Sequence, residues 1–537
     1  MYKHQTSMEP TLLPFSKVPQ VSDRDLAYAE QDERLRPFYK YPPTVEGLKQ
    51  ALDDKAKSEV PREELVAVLK AQYEGLSPSQ AQINRIEKLL EPTAFTVTTA
   101  HQPSLFTGPL YYIYKIVSTI KLARQLQDAY PDYTFLPLFI TGGEDHDFEE
   151  INHLQLFGKT VQWENEESGA VGQMSTDSLK PVLAEVKDIL GDSLRAESLY
   201  AMLEEAVERH RRYADVARYI THQLFKDYEL LILDPSHPKL KGRFTPYIKE
   251  EIFEQPSKGL VESTVAELEK AGFSEQAYPR AINFFYLGNG FRERIVEEDG
   301  KYQVLNQNIE WDRAALEQEI EEHPERFSPN VVMRPIYQEC ILPNIAYVGG
   351  GGELAYWLER RKQFEHFGVN FPVLIRRNSV LFVDKGSSKR LRKLDLSVTD
   401  LFGDVEALIK DYVKQHTENE ISLKAEKAEL QKVFKQVEAK AKEVDPTLVK
   451  AAAAEGARQL NSLGQLEGKL MKAEKQRHDT AVNQMRKLKE KLFPGNGLQE
   501  RHDNFMMFYL KYGDDFFRML FAALDPLKKG FVIIEDQ

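Results

Sequence analysis

Polar side chains are concentrated where predicted strands give way to helices, and the first such point is residues 101–109. His101 and Gln102 follow the β-branched run FTVTTA, and Thr107 and Gly108 precede an apolar stretch with helical spacing. Free backbone N–H groups and the helix dipole at such a junction favour an anion such as phosphate. Gly108 allows close backbone approach, and Pro109 suits the first helical position. We expect His101 to stabilise a charged transition state; the alternative is a tight turn with a hydrogen-bonded histidine.

A second cluster, EDHD, follows the run TFLPLFIT. If the next residues are helical, His146, Glu150 and His153 share one face and could hold a divalent metal. Equally, Asp147 could cap that helix. We favour a catalytic or substrate-binding role for Asp145, His146 and Asp147 at the carboxyl edge of a sheet, and we predict no dedicated metal site.

The run GGGGE lies between a predicted strand, NIAYV, and a predicted helix, ELAYWLERRKQF. Four glycines give the backbone freedom to wrap a ligand, so Gly350 and Gly351 are candidate binding residues. Glu353 stands where the helix begins and is a third candidate. The alternative is an unusually permissive turn, because a glycine-rich loop alone is a weak signal.

Two further groups could recognise an anionic substrate. Arg376, Arg377 and Ser379 end another predicted strand and could clamp a carboxylate or phosphate bidentately. Asn283, in the polar and aromatic run NFFY, could line a pocket. The alternatives are solvated arginines and structural pairing inside a large domain. Cys340 lacks an evident activating partner and is interpreted as a small apolar residue.

Strands alternating with glycine-bearing loops and helices predict a parallel α/β sheet that would bring these strand ends to one edge. The helical stretches around 178–227 and 247–272 are long enough to be insertions. The strand candidates are FTVTTAHQ, TFLPLFIT, ELLILD (229–234), AINFFYLG (281–288), NIAYVGG (344–350) and FPVLIRR (371–377).

Changes in composition and hydrophobic pattern along the chain predict four segments. They are an N-terminal helical segment (1–90), a Rossmann-like core with insertions (91–387), an antiparallel coiled-coil hairpin (388–494) and a C-terminal helical segment packing on the core (495–537). Leu423, Leu430, Val437 and Val444 recur every seventh residue, which is typical of a coiled-coil seam. Asp445-Pro446 interrupts the pattern, so two arms of roughly 60 Å are expected.

Composition narrows the class of protein. A net charge of −13 argues against a nucleic-acid partner, which normally requires a basic face. One cysteine excludes an intrachain disulfide and suits a reducing compartment. Neither a signal peptide nor a run of about 18 apolar residues is evident, so we expect a soluble, cytoplasmic protein without a membrane partner.

Several sequence segments, taken together and in order, resemble the bacillithiol-biosynthesis cysteine-adding family (BshC). The resemblance runs from about residue 95 to the C-terminus and includes the coiled-coil stretch. Its phrases are HQPSLFTGPLYYIYK, FITGGEDHDFEEINH, RFSPNVVMRPIYQECILPNIAYVGGGGELAYW and GLQERHDNF.

The resemblance implies a core similar to class I synthetases and nucleotidylyltransferases, with a coiled coil that forms a homodimer. It implies a ligase that joins cysteine to the amine of glucosaminyl-malate through an amide bond. The expected partners are these two small molecules. ATP with Mg²⁺ is expected to activate the carboxylate. His101 and Gly108 occupy the place of the superfamily's His-x-Gly-His nucleotide motif, although the second histidine is absent. The alternatives are a nucleotidylyltransferase acting on another small acid and an inactive coiled-coil scaffold.

Overall fold

The computed structural model describes residues 10–417 and 422–536. The chain forms two compact units, Met1–Phe382 with Leu498–Ile534 and Val383–Gly497 with Glu535–Gln537. The four segment boundaries given above stay predictions. No helix in the described part of the chain is long and apolar enough to cross a membrane.

The described residues contain the following strands in chain order: β1 (Thr11–Leu13), β2 (Ala94–His101), β3 (Thr134–Thr141), β4 (His153–Leu156), β5 (Lys159–Gln162), β6 (Leu231–Leu233), β7 (Phe284–Gly288), β8 (Phe291–Glu298), β9 (Lys301–Val304), β10 (Glu310–Trp311), β11 (Phe327–Pro329), β12 (Asn344–Gly349), β13 (Val373–Arg376), β14 (Ser379–Val383) and β15 (Phe531–Glu535).

The α-helices described up to residue 382 are α1 (Asp23–Glu30), α2 (Val45–Lys55), α3 (Arg62–Glu74), α4 (Gln80–Glu87), α5 (Tyr111–Ala129), α6 (Phe148–Ile151), α7 (Lys180–Leu190), α8 (Leu194–Arg209), α9 (Tyr213–Phe225), α10 (Pro238–Glu254), α11 (Pro256–Lys270), α12 (Arg313–Glu322), α13 (Arg334–Ile341), α14 (Gly351–Leu358) and α15 (Arg361–His366). The later α-helices described are α16 (Lys385–Lys393), α17 (Val405–His416), α18 (Lys424–Val444), α19 (Val449–Arg477), α20 (Asp479–Leu492), α21 (Met506–Tyr512) and α22 (Asp515–Ala523).

A parallel five-stranded sheet in the order β13-β12-β2-β3-β6 is the centre of the first unit. Its strands are buried on both faces, which explains why they read as near-continuous apolar runs. In chain order β2 comes first and β12 fourth, so the winding direction reverses between these neighbours. Ligands of open α/β sheets bind outside the carboxyl ends of the strands at such a reversal. The predicted Rossmann-like α/β class is confirmed.

The segment AINFFYLG contains a strand, but the prediction that this strand belongs to the parallel sheet is wrong. Strand β7 belongs to a separate antiparallel sheet in the order β10-β9-β8-β7-β11. Only alternate side chains of β7, such as Phe284 and Tyr286, are buried, as expected for an antiparallel strand with one solvated face. Strands β7–β11 therefore form part of an insertion between β6 and β12.

The N-terminal residues contribute to the central fold through α1. Tyr28 donates a hydrogen bond to the Leu374 carbonyl at 2.8 Å, and Asp25 accepts two hydrogen bonds from Arg376 at 2.6 and 2.8 Å. The first residue of α14, Gly351, lies so close to α1 that an added Cβ would come 2.2 Å from the Asp25 Cγ. A glycine is needed here for close packing.

The second unit contains the predicted antiparallel helical hairpin. Helix α18 ends at Val444 and α19 runs back along it, with Phe434 against Gly456 and Lys427 paired to Glu467 at 2.6 Å. Asp445 accepts a hydrogen bond from the Thr447 N–H and so caps the turn.

One detail of that hairpin prediction is wrong. The arms are shorter than predicted, since α18 has 21 residues and α19 has 29, or about 32 and 44 Å at 1.5 Å per residue. Val437 and Val444, two of the residues that recur every seventh position, are 41% and 81% exposed. A break at His478 separates α19 from α20.

The apolar C-terminal stretch packs on the core as predicted, through buried residues of α21 and α22 such as Met506, Phe516 and Leu520. The sequence analysis did not predict β15, which lies between β1 and β14 in a three-stranded sheet. The C-terminal segment is therefore not wholly helical.

Substitutions of two adjacent glycines test the packing of α1. Gly351→Ala should destabilise the protein by about 1–3 kcal/mol, because its methyl group overlaps Asp25. Gly352→Ala is the matched control: nothing lies within 4 Å of its added Cβ, and alanine is favoured over glycine in a helix by about 1 kcal/mol. Urea unfolding measures both, and equal stabilities of the two variants would contradict this packing.

Candidate functional site

Several polar side chains lie together at the carboxyl ends of β2 and β12, where the strand order reverses and open α/β sheets bind ligands. We call this region the switch-point crevice. It contains His101, Tyr111, Lys115, Glu353 and Arg377. These residues are close enough for Lys115, Glu353 and Arg377 each to influence the pKa of His101. The structure thus brings together His101, Glu353 and Arg377 from three separate predicted clusters.

His101 is a neutral imidazole of fixed orientation. Its Nδ1 accepts a hydrogen bond from the Gln102 N–H at 2.8 Å, so the proton resides on Nε2, which lies 3.1 Å from the Tyr111 hydroxyl. The ring also stacks on Tyr111, with centroids 5.2 Å apart. Burial and the nearby Lys115 ammonium lower the pKa of His101 to about 3. His101 can therefore donate a hydrogen bond at neutral pH but cannot supply a positive charge.

The loop after His101 has an unusual backbone. Phe106, Thr107 and Gly108 have consecutive positive φ angles of 42°, 76° and 58°. Asn504 holds this loop by donating from Nδ2 to the Phe106 and Gly108 carbonyls at 3.1 and 2.7 Å. Within the described residues, the buried Thr107 hydroxyl has no hydrogen-bond partner. Such strain is typical of ligand-binding loops.

The predicted helix start in this loop is wrong by two residues. Helix α5 begins at Tyr111, not at Pro109, because the residues from Phe106 to Gly108 turn the chain before it can become helical. Gly108 has a structural reason of its own, since its φ is 58° and an added Cβ would lie 2.7 Å from the Ser104 Cβ; its predicted role at a ligand stays a prediction.

A buried ion pair joins the two strand ends. Lys115 on α5 is 2% exposed, and its ammonium lies 2.8 Å from a Glu353 oxygen while also donating to the Ala100 carbonyl on β2. Glu353 accepts further hydrogen bonds from the Tyr347 hydroxyl and the Gly350 N–H at 2.7 and 2.9 Å. Burial alone would raise the pKa of Glu353, but Lys115 outweighs it and lowers the pKa to about 2.

The glycine-rich loop is therefore partly committed to internal contacts. The Gly350 N–H is used by Glu353, and Gly351 packs on Asp25. Both predicted binding residues lie beside the crevice, but their backbone positions are fixed by the fold as well.

The predicted arginine clamp is wrong for Arg376. Its guanidinium is held bidentately by Asp25 and lies over the Phe15 ring, because α1 covers this strand end. Ser379 is buried and accepts hydrogen bonds from Arg376 and Arg377.

Arg377 lies on the crevice side and is also paired internally. It donates to Glu500 at 2.8 Å, and its guanidinium is 5.4 Å from the Tyr111 ring. Arg501 lies over the same ring at 5.8 Å and is exposed. Of the two guanidinium groups on Tyr111, only that of Arg501 has no ion-pair partner among the described residues. The positive charge at the crevice suits an anionic ligand.

The EDHD run lies at the end of β3, beside Gln102. Gln102 donates from Nε2 to Asp145 and Glu150 at 2.8 and 2.9 Å. Burial raises the pKa of Asp145, but the nearby Arg292, Gln102 and two backbone N–H groups together lower it below the usual value. Asp145 is therefore ionised at neutral pH and fixed in place.

The proposed metal-binding face is not formed. Helix α6 covers only Phe148–Ile151, and His153 begins β4, so the three candidate ligands do not share a helix face. Asp147 caps α6 by accepting a hydrogen bond from the Glu150 N–H at 3.3 Å, which is the alternative reading of this residue. His146 lies 2.6 Å from an Arg292 nitrogen. Among the described residues, no group of three His, Cys, Asp or Glu side chains could hold a metal ion.

Asn283 is a structural residue and not a pocket residue. Its Nδ2 donates to the buried Glu251 at 2.6 Å and to the Arg280 carbonyl at 2.8 Å.

Removal from solvent raises the pKa of the Cys340 thiol to about 12, so it is not a nucleophile at neutral pH.

Lys115, Glu500 and Arg501 were not among the site residues predicted from the sequence. One signal was available for Lys115, because it interrupts the apolar run YYIYKIVSTI on a helix predicted to be buried. A lysine in that position needs a partner. Glu500 and Arg501 lie in the phrase GLQERHDNF, whose distance in sequence from residue 101 gave no indication that it lines the crevice.

Family models cover nearly the whole chain. Residues 8–378 match the N-terminal Rossmann-like domain of bacillithiol biosynthesis BshC, and residues 380–535 match its C-terminal coiled-coil domain. The chain belongs to the BshC family of bacillithiol biosynthesis. This family membership accounts for the Rossmann-like sheet and the helical hairpin together.

Relatives named as proposed cysteine ligases BshC align over most of their length. The protein from Flavobacterium johnsoniae is 39% identical, over 94% of this chain and 96% of the relative. The protein from Christiangramia forsetii is 38% identical, over 95% and 96%. The protein from Prosthecochloris aestuarii is 31% identical, over 84% of each.

The Lys115–Glu353 pair is tested by a double-mutant cycle. Glu353→Gln should destabilise the protein by about 3 kcal/mol, since it leaves the buried Lys115 ammonium without its counter-charge. Lys115→Met should destabilise it less, because the remaining Glu353 carboxylate is 28% exposed. The double variant should lose less than the sum, as measured by urea unfolding at pH 7. Additive losses would contradict the pairing.

The same pair predicts a pH dependence. Because Lys115 lowers the folded-state pKa of Glu353 from 4.5 to about 2, this group stabilises the protein above pH 4.5, and that contribution is lost as the pH falls towards 2. Glu353→Gln removes the titrating group. Its stability should therefore fall less steeply than that of the unmodified protein between pH 5 and 3, and identical slopes would contradict the assignment.

Proposed function

We propose that this protein is a ligase that joins the carboxyl group of cysteine to the amine of glucosaminyl-malate, forming the amide bond of bacillithiol. The names of the relatives support cysteine ligation, and family membership supports the pathway. The observation that carries the proposal for this chain is the exposed Arg501 guanidinium over Tyr111, beside a strained loop at the reversal of strand order, an arrangement that suits a phosphate-bearing reactant. The product is a thiol, so we place the reaction in the reducing cytoplasm.

ATP is proposed as the activating substrate, because a free carboxylate does not react with an amine at a useful rate. A cysteine carboxylate oxygen attacks the α-phosphorus, and the bond to the β-phosphate breaks to release pyrophosphate. The acceptor nitrogen then attacks the carbonyl carbon, AMP leaves with the electrons of the C–O bond, and the amine proton passes to a base. Mg²⁺ is proposed only as the ion carried by the ATP phosphates.

The residues of the crevice have separate proposed roles. His101 donates a hydrogen bond from Nε2 to a phosphoryl oxygen, in exchange for its contact with Tyr111. Arg501 and Arg377 supply the positive charge that a neutral His101 does not. Asp145 positions Gln102 at the loop by accepting a hydrogen bond from its side-chain amide. Lys115 and Glu353 hold the two strand ends in register and do not contact substrate.

This function is tested with purified protein, ATP, cysteine and glucosaminyl-malate, with the thiol product measured by mass. His101→Ala should lower kcat/KM by about 100-fold, the loss typical of one preorganised donor. Asp145→Asn should also lower kcat/KM, because it removes the carboxylate that accepts from Gln102 and positions it. His153→Ala is the control, because His153 is exposed and lies outside the crevice. Full activity of both folded crevice variants would refute the site. AMP release with another acid but not with cysteine would favour a nucleotidylyltransferase.

We further propose a homodimer formed through the hairpin of the second unit. Large apolar side chains on this hairpin are 36–81% exposed, which is unusual for a monomer. They are Val433, Val437, Val444, Leu448, Leu466 and Leu470.

Sedimentation of the full chain tests the dimer. The unmodified protein should sediment as twice its mass of 61.8 kDa, and Val437→Asp with Leu470→Asp should sediment as a monomer, because buried carboxylates oppose association. Leu194→Asp, at a position 85% exposed in the first unit, is the control and should stay dimeric. An unmodified monomer, or a dimer unaffected by the paired substitutions, would refute this interface.

A further inference from the structure

A second concave region lies at the carboxyl ends of β3 and β6, in the first unit. It is a cavity of about 1120 Å³, which we call the β3–β6 cavity. Glu144 enters it from the end of β3, and Asp234 and Ser236 enter it from the loop between β6 and α10. Other parts of its wall come from α3, from residues 166–174 and from the turn between β7 and β8. None of the residues of the switch-point crevice lines it.

The lining of the β3–β6 cavity is polar and contains no Phe, Tyr or Trp. Its carboxylates outnumber its guanidinium groups by five to three. The carboxylates can accept from a cationic amine and from hydroxyl groups, and the guanidinium groups can pair with an acidic group. The carboxylates are Glu144, Glu166, Glu167, Asp234 and Glu325, and the guanidinium groups are Arg212, Arg218 and Arg326.

Several of these groups are buried and held in position. Asp234 is 8% exposed, and its Oδ1 accepts hydrogen bonds from the Ser236 N–H and hydroxyl at 3.0 and 2.7 Å. Glu144 is held 2.7 Å from the ammonium of the fully buried Lys241. Arg218 is also 8% exposed; it pairs with Asp215, yet its Nε has no hydrogen-bond partner within the described residues. A buried donor without a partner is costly unless a ligand satisfies it.

The cavity and the crevice meet at one short segment. Asp145 faces Gln102 at the crevice, whereas the preceding residue, Glu144, lines the cavity. The two regions are therefore connected through two consecutive residues of the segment that follows β3.

We propose that the β3–β6 cavity binds the acceptor as an amino sugar bearing an acidic substituent. Glu144 and Asp234 would hold the amine and hydroxyl groups, and the arginines would hold the acidic substituent. The mixture of fixed carboxylates, guanidinium groups and amides supplies both acceptors and donors, which a polyhydroxylated zwitterion requires. This inference rests on the proposed function, because it assigns a separate subsite to the acceptor of the same reaction.

Calorimetric titration tests the cavity directly, using glucosaminyl-malate, glucosamine and N-acetylglucosamine as probes. The unmodified protein should bind glucosaminyl-malate most tightly and glucosamine more tightly than N-acetylglucosamine, whose nitrogen carries no charge. Asp234→Asn should weaken glucosaminyl-malate binding by about 10-fold, the loss of one charge-assisted hydrogen bond. Binding of an ATP analogue should be unchanged in that variant.

A matched pair of tryptophan variants covers the case in which a carboxylate substitution disturbs folding. Ala71 lines the cavity on α3, and Ala67 lies one turn earlier on the same helix, exposed and away from the lining. Ala71→Trp should weaken acceptor binding by about 10-fold, a 1.4 kcal/mol effect, and Ala67→Trp should leave it unchanged. The thermal midpoints of both variants report whether they are folded.

The outcomes separate this inference from the proposed function. Unchanged acceptor binding in both Asp234→Asn and Ala71→Trp, or no binding of any amino sugar by the unmodified protein, overturns the cavity assignment. Amino-sugar binding that depends on these residues, without product from ATP and cysteine, supports the cavity and refutes the reaction. Product formation with a KM unaffected by Ala71→Trp supports the reaction and refutes the cavity.

Discussion

The ion pair between Lys115 and Glu353 is the interaction on which the crevice depends. It connects α5 to the start of α14. Lys115 also donates a hydrogen bond to the Ala100 carbonyl near the end of β2, so three elements meet at one ammonium group. Burying these charges costs several kcal/mol per ion, which is offset only by good geometry and additional hydrogen bonds. Tyr347 and the Gly350 N–H supply those bonds. The pair therefore determines where the ends of β2 and β12 lie relative to each other.

The same charges determine the chemistry available to His101. Burial and the proximity of Lys115 keep the imidazole neutral, and its bond from the Gln102 N–H fixes which nitrogen carries the proton. A neutral donor of fixed direction suits the phosphate contact proposed for it, because preorganised donors stabilise developing charge with little reorganisation. C-terminal residues also lie at the crevice, because Asn504 holds the strained loop and the exposed Arg501 guanidinium adds a positive charge over Tyr111.

The sequence predicted those features that depend on local pattern. The strands of the parallel sheet read as apolar runs because both of their faces are buried, and the hairpin turn is marked by Asp445-Pro446. The sheet membership of β7 could not be predicted, since its pairing with β8 and β11 is a matter of topology. Likewise, nothing near Arg376 in the sequence indicates that Asp25, 351 residues away, occupies its guanidinium. His101, Glu353 and Arg377 were found because polar residues at strand ends meet at one edge, whereas Lys115 looked like an ordinary helical residue.

The central claim is that the reactive phosphate lies at the switch-point crevice. A crystal structure of the protein with a non-hydrolysable cysteinyl-adenylate analogue tests it most directly. We predict that the phosphate, or the group that replaces it, lies within hydrogen-bonding distance of His101 Nε2, with the guanidinium of Arg501 directed towards it. An analogue bound elsewhere, with the Tyr111 hydroxyl still in contact with His101, would contradict the account.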